Sequence, residues 1–190
     1  SSTSNSNITL ASSATIAGAG RALTLNAGTG TISITSALSG MGALSFIGNE
    51  IGWTASIAGT GTLSLKPTTT TNVINVGGSS DAGASTLDIT AAKLALLGST
   101  FSGVTIGGVS QSGNINIAAA SSFANPVTFT TSGSTILAGD VTATGSASVT
   151  VTNGLLVSGA NRTITSASGN ISLSDINATG TAYGLTLTTT

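Results

Sequence analysis

The sequence predicts an all-β chain wound as a parallel β-helix, with short strands stacked coil upon coil. Three observations predict it. Apolar and polar residues alternate in many short segments, near-copies of the same residues recur along the chain, and charge is almost absent.

The alternation comes first. It runs through NITL at 7–10, ALTL at 22–25, TISI at 31–34, ALSF at 43–46, TLSL at 62–65 and TLDI at 86–89. It continues through VTI at 104–106, NINI at 114–117, VTF at 127–129, VTV at 149–151, NISL at 170–173 and LTL at 185–187. A period of two puts one face of each segment inside and the other in water. Abundant Ile, Val and Thr is strand composition, and it separates this Ser-, Thr- and Gly-rich chain from a disordered one. Gly, Ser, Asn and Ala after each segment supply the corners. The stretch AAKLALL at 91–97 is closest to a helical period and is too short to count as a helix.

The recurrence sets the coil. AGTGTISI at 27–34 returns as AGTGTLSL at 58–65, SGNINI at 112–117 as SGNISL at 168–173, and GAGRALT at 18–24 as GANRTIT at 159–165. The offsets are 31, 56 and 141. A unit of roughly 28 residues accommodates all three, whereas a coil near 19–20 fails on the first. The expectation is one β-helical segment over 1–190, of about seven coils of roughly 28 residues with about three strands each. At about 4.8 Å per rung the rod would be on the order of 34 Å long. Ladders of like residues follow from that unit, among them Ile16, Leu44, Val73, Val104, Val127, Leu155 and Leu185.

Composition bounds the function. Charged residues are 5% of the chain, with basic residues only at Arg21, Lys66, Lys93 and Arg162 and acidic ones at Glu50, Asp81, Asp88, Asp140 and Asp175. Four scattered cations give no phosphate-binding patch, so nucleic acid is not an expected partner. His and Cys are absent, which excludes Ser-His chemistry, disulfides and thiolate metal sites. The longest apolar run, Leu94–Leu97, is far short of a membrane span. A chain that opens SSTSNSN without an initiator Met and closes TLTTT reads as a piece of a longer, processed polypeptide.

Runs such as GTGTLSL, SGNISLSDINATG and SGANRTITSASGNISL resemble the repeat regions of filamentous-haemagglutinin-type adhesins, the long bacterial surface proteins exported by two-partner or autotransporter routes. The resemblance covers nearly the whole chain and lies in repeat style, with no recognisable secretion domain. It implies a right-handed β-helix, secreted and held at the cell surface, that serves as stalk, adhesin or biofilm matrix component. The partner it implies is a glycan or protein of a host, neighbouring cell or matrix.

Candidate ligand-surface residues are Trp53 and Tyr183, as stacking platforms for sugars, and Arg21 and Arg162, which occupy matching positions of related repeats and suit either an acidic glycan or a turn carbonyl. Phe46, Phe101, Phe123 and Phe129 are expected in the core, and Trp53 suits that core as well as it suits the surface. No catalytic residue, cofactor or metal is expected, and the chain does not read as an enzyme. The alternatives are a carbohydrate-active β-helix, which would need Asp81, Asp88, Asp140 and Asp175 to converge, a polysaccharide-binding module, and a self-assembling filament subunit. GGSSDAGAS at 77–85 reads as a loop, and the run from Lys66 to Thr71 as an exposed corner. Thr-x-Thr triplets at 29–31, 60–62, 68–70, 69–71, 142–144, 179–181 and 186–188 would suit an ice-binding face only if they recurred on every coil, and of these only the first two fall on a repeat equivalent.

Overall fold

Each of the alternating segments contributes a strand. The computed structural model, which describes residues 6–83, 85–177 and 182–190, winds them into a parallel β-solenoid of about eight turns. The first coil is β1 (Ile8–Leu10), β2 (Ile16–Ala17) and β3 (Leu23–Asn26), and the second is β4 (Thr31–Ile34), β5 (Leu38–Met41) and β6 (Leu44–Ile47). The third is β7 (Glu50–Trp53), β8 (Ile57–Gly59) and β9 (Thr62–Lys66). An irregular coil follows, made of β10 (Val73–Val76), β11 (Thr86–Ile89), the short helix α1 (Ala91–Ala95) and β12 (Gly103–Gly107). Regular coils resume with β13 (Ile115–Ile117), β14 (Ser121–Phe123), β15 (Val127–Thr130), β16 (Thr135–Leu137), β17 (Val141–Ala143) and β18 (Val149–Val151). The last strands are β19 (Leu155–Val157), β20 (Arg162–Ser166), β21 (Ile171–Leu173), β22 (Ile176–Asn177) and β23 (Leu185–Thr189).

These strands form three faces. The third is unbroken, running β3-β6-β9-β12-β15-β18-β21. The first is split into β1-β4-β7 and β11-β10-β13-β16-β19-β22, and the second into β2-β5-β8 and β14-β17-β20-β23. Inward residues stack into continuous rows. On the third face Leu25, Phe46, Leu65, Ile106, Phe129 and Val151 follow one another rung by rung and are all buried. Full burial of such a side chain is worth about 1.5–3 kcal/mol. The four phenylalanines are buried as expected, with Phe123 and Phe129 in edge-to-face contact at 5.8 Å between ring centres.

The coil is shorter than the repeat echoes suggest. Register partners in the regular coils range from Met41↔Gly59, an offset of 18 past a register shift, to Ile8↔Ile32, an offset of 24. With three strands to a coil, an offset of 28 to 31 overshoots one turn by one or two strands. The echoes therefore mark a turn-plus-strand unit reused on different faces. AGTGTISI ends in β4 on the first face, and AGTGTLSL ends in β9 on the third. The expected ladders jump between faces for the same reason: Ile16 lies in β2, Leu44 in β6 and Leu155 in β19.

The irregular coil breaks the order. After β9 the chain makes β10, which pairs with β13 on one side and with β11 on the other, although β11 comes later in sequence. Between β10 and β11 the chain therefore steps back one rung, and β11 fills the place beside β7. Gly77 begins this return at φ +82, and a Cβ there would overlap Ser121 Oγ and the Ala119 carbonyl. On the second face α1 and Leu97 take the missing rung, with Ile57 N donating to Leu96 O at 2.9 Å and Gly98 N donating to Ile57 O at 2.8 Å. AAKLALL thus does form one helical turn, capped where Thr90 Oγ1 accepts Lys93 N at 3.2 Å. No helix among the described residues is long and apolar enough to cross a membrane.

Candidate functional site

Four of the chain's nine charged residues gather where the stack is spliced. Lys93, on α1, is 5% exposed. Its ammonium donates to Asp88 O at 2.7 Å and reaches Asp81 Oδ2 at 3.1 Å and Glu50 Oε1 at 3.3 Å. Three contacts match the three protons of an ammonium group. Glu50 opens β7, Asp88 sits in β11, and Asp81 lies on the returning loop, so one side chain ties both banks of the splice to the segment that crosses it. No ladder of backbone bonds joins β7 to β11 among the described residues, and the ammonium supplies the donor that Asp88 O would take from a neighbouring strand.

Asp88 is 2% exposed and fully engaged. Oδ1 accepts Asn75 Nδ2 at 2.8 Å, while Oδ2 accepts Ala82 N at 2.7 Å and Thr86 Oγ1 at 3.0 Å. Asn75 in turn accepts Asn116 Nδ2 at 3.1 Å, which continues the row across the next rung. Glu50 is the unbalanced member, since its Oε2 is buried with no hydrogen-bond partner. Burial pushes the Glu50 carboxyl above its ordinary value; the Lys93 ammonium pulls it down and the Asp81 carboxylate pushes it back up.

Oxygens of Glu50, Asp81 and Asp88 lie within 4.8 Å of one another, a spacing that suits a divalent cation. The Lys93 ammonium already stands among them, so a metal ion would have to expel it. The cluster works as an internal ion-pair knot between segments far apart in sequence. Asp140 and Asp175 belong to other coils. Asp140 Oδ1 accepts Thr163 N at 2.9 Å, and the Asp175 carbonyl accepts Leu155 N at 2.6 Å.

The four residues expected at a ligand surface do not meet. Trp53 is a correction: it is 3% exposed, at the inner end of β7, and its Nε1 donates to Lys93 O at 2.9 Å, so it braces the splice and presents no ring to a sugar. Arg21 is exposed at the corner before β3 on the third face, and Arg162 opens β20 on the second. Arg162 Nε donates to Ser158 O at 3.2 Å, the turn carbonyl of the alternative reading. Tyr183 is half-buried just before β23. Sequence reasoning passed over Glu50 and Lys93, which stand far apart in the chain and are joined only by the out-of-order strand. The signal available was chemical: a lone lysine inside an apolar run has to find partners.

The outward row of the third face is also clearer in the structure. Thr24, Ser45, Ser64, Thr105, Thr128, Thr150 and Ser172 stack rung on rung, and none of their hydroxyls bonds to another described residue. Hydroxyls at strand ends behave differently: those of Thr60, Thr144, Thr152 and Ser174 donate to carbonyls of the preceding rung. The Thr-x-Thr triplets weighed above miss this row, on which only Thr128-Phe129-Thr130 and Thr150-Val151-Thr152 begin among the described residues, and the triplet at 179–181 lies outside the described residues.

No family model, no curated protein and no solved structure matches this chain.

Proposed function

We propose that the chain is a rod-like structural and adhesive segment of a large secreted bacterial surface protein, of the filamentous-haemagglutinin style its repeats resemble. The observation that carries this reading is the unbroken third face, seven in-register strands with an apolar row inside and an uncharged hydroxyl row outside. Backbone pairing from coil to coil stiffens a rod without disulfides, which suits a chain with no Cys that has to persist outside a cell. Ile176 and Leu187 in the final coil are about half exposed, as inward residues are on a rung with no neighbour stacked on it.

The test combines shape and contact. Small-angle scattering of the purified chain should give an elongated monomer, and beads coated with it should adhere to cells or matrix where beads coated with a globular control do not. Fibres growing with concentration would favour the filament-subunit alternative. Release of sugar ends from polysaccharide would favour the enzyme. A compact particle that adheres to nothing would end the adhesive reading.

A further inference from the structure

A cleft of about 200 Å³ opens at the corner between the third and first faces, bounded by the turn after β9 and the turn after β12. Ile47, Lys66, Pro67, Thr70, Val109 and Ser110 line it. Its walls are held by the protein's own bonds. Thr70 O accepts Ser112 N at 2.7 Å and Gly113 N at 2.9 Å, and the Gln111 side chain donates to Asn72 O. Asn49 clamps Thr69 from the preceding coil, with Nδ2 donating to Thr69 Oγ1 and Oδ1 accepting Thr69 N, both at 2.8 Å. A cleft braced in this way exists before any ligand arrives, which removes an ordering cost from binding.

Three functional groups of the cleft, on Lys66, Thr70 and Ser110, are unspent. Lys93 is consumed in the splice and Arg162 by a turn carbonyl, whereas the Lys66 ammonium forms no ion pair among the described residues. Neither the Thr70 nor the Ser110 hydroxyl bonds to another described residue. Val109 is 84% exposed at the rim, the most exposed large apolar residue among those described, and it adds an aliphatic surface to those of Pro67 and Ile47. One cation, two free hydroxyls and an aliphatic wall complement a small ligand with an anionic group, hydroxyls of its own and a C–H face. The volume lies below the about 300–1,000 Å³ usual for larger ligands, so it suits one sugar residue and not a buried chain.

We propose that this cleft binds an acidic sugar residue, its anionic group paired with Lys66, its hydroxyls with Thr70 and Ser110, and its C–H face on Val109. The proposal rests on the adhesive reading and gives it a ligand class. A site of this size binds weakly, on the order of millimolar, and gains strength by presentation of many copies.

The test is an amide-resolved NMR titration of the full chain with glucuronate, with glucose 6-sulfate as a second acid and glucose as the neutral match. Glucuronate should shift amides of residues 66–72 and 107–112 and leave the regular coils unmoved, while glucose at equal concentration should not. Lys66→Gln, which removes the charge and keeps a polar end on a shorter stem, should weaken binding at least about tenfold, and Val109→Asn by a few-fold. Spectra matching the wild type away from the cleft will confirm that both variants fold. Glucose 6-sulfate binding in place of glucuronate would assign the anionic group to a sulfate ester and keep the site. Equal response to glucose, indifference to Lys66→Gln, or shifts elsewhere on the rod would overturn the proposal. Coated beads separate this failure from that of the parent reading: adhesion undiminished by Lys66→Gln means a rod that adheres by another surface.

Discussion

The third face and the splice on the first face hold the same stack together by opposite means. On the third face each rung resembles the last, with apolar rows inside, hydroxyls outside and, for the strands between β3 and β21, a hydrogen-bonded neighbour on either side. At the splice the ladder between β7 and β11 is missing, and a buried lysine, three carboxylates and a tryptophan N–H replace it. Repetition makes the first region tolerant, because a lost contact is one of many similar ones. The second depends on single atoms, so its failure should be abrupt.

The largest break in that contrast should come from Lys93→Met. It leaves Glu50 and Asp81 facing each other without a cation and Asp88 O without its donor, and loss of one member of a buried ionic group costs about 3–5 kcal/mol. Denaturation followed by hydrogen exchange should then resolve two transitions, with the coils before residue 66 separating from those after 103, where the wild type gives one. A single transition at wild-type stability would refute the splice as a structural joint. In the regular stack, Leu137→Ala should cost about 2–5 kcal/mol in denaturant midpoint and keep the transition single. Gly77→Ala forces a side chain into a left-handed turn against Ser121 and Ala119, and should lower stability by about 1–3 kcal/mol in the same assay.

Glu50 adds a pH signature. Its carboxyl titrates above the ordinary 4.5, so the folded chain binds this proton more tightly than the unfolded chain does. The stability it contributes is whole below pH 4.5 and is lost as pH rises through the folded value. Glu50→Gln should flatten that decline in melting curves collected from pH 4.5 upward, and an unchanged slope would show that the burial of Glu50 does not matter. The smallest effect is expected at Thr150→Val, where an outward hydroxyl with no protein partner is removed. Stability should stay within about 0.5 kcal/mol of the wild type.

The fold was legible because period-two alternation is a local signal, and ITL, TISI, VTF and the rest are all strands. Coil length was less legible because the three faces use the same vocabulary: a corner such as AGTGT announces that a strand follows and is silent about which face receives it. The splice was hidden for a different reason. Glu50, Asp81, Asp88 and Lys93 meet only because β11 lies out of order, and no local pattern in TLDI distinguishes a strand that advances from one that goes back. Trp53 stayed open between surface and core because the coil register around it is not legible in the sequence; a backbone carbonyl of α1, which satisfies its N–H in the interior, decides it.

The backward step at β11 also bears on how the protein avoids misassembly. Where neighbouring rungs are nearly interchangeable, a stack displaced by one coil would bury much the same groups, and little would select the correct alignment. A strand laid out of order between two others, followed by a helix that brings an ammonium to three particular oxygens, fits at a single height. The costliest and least regular coil is thus the index mark from which all the others take their count.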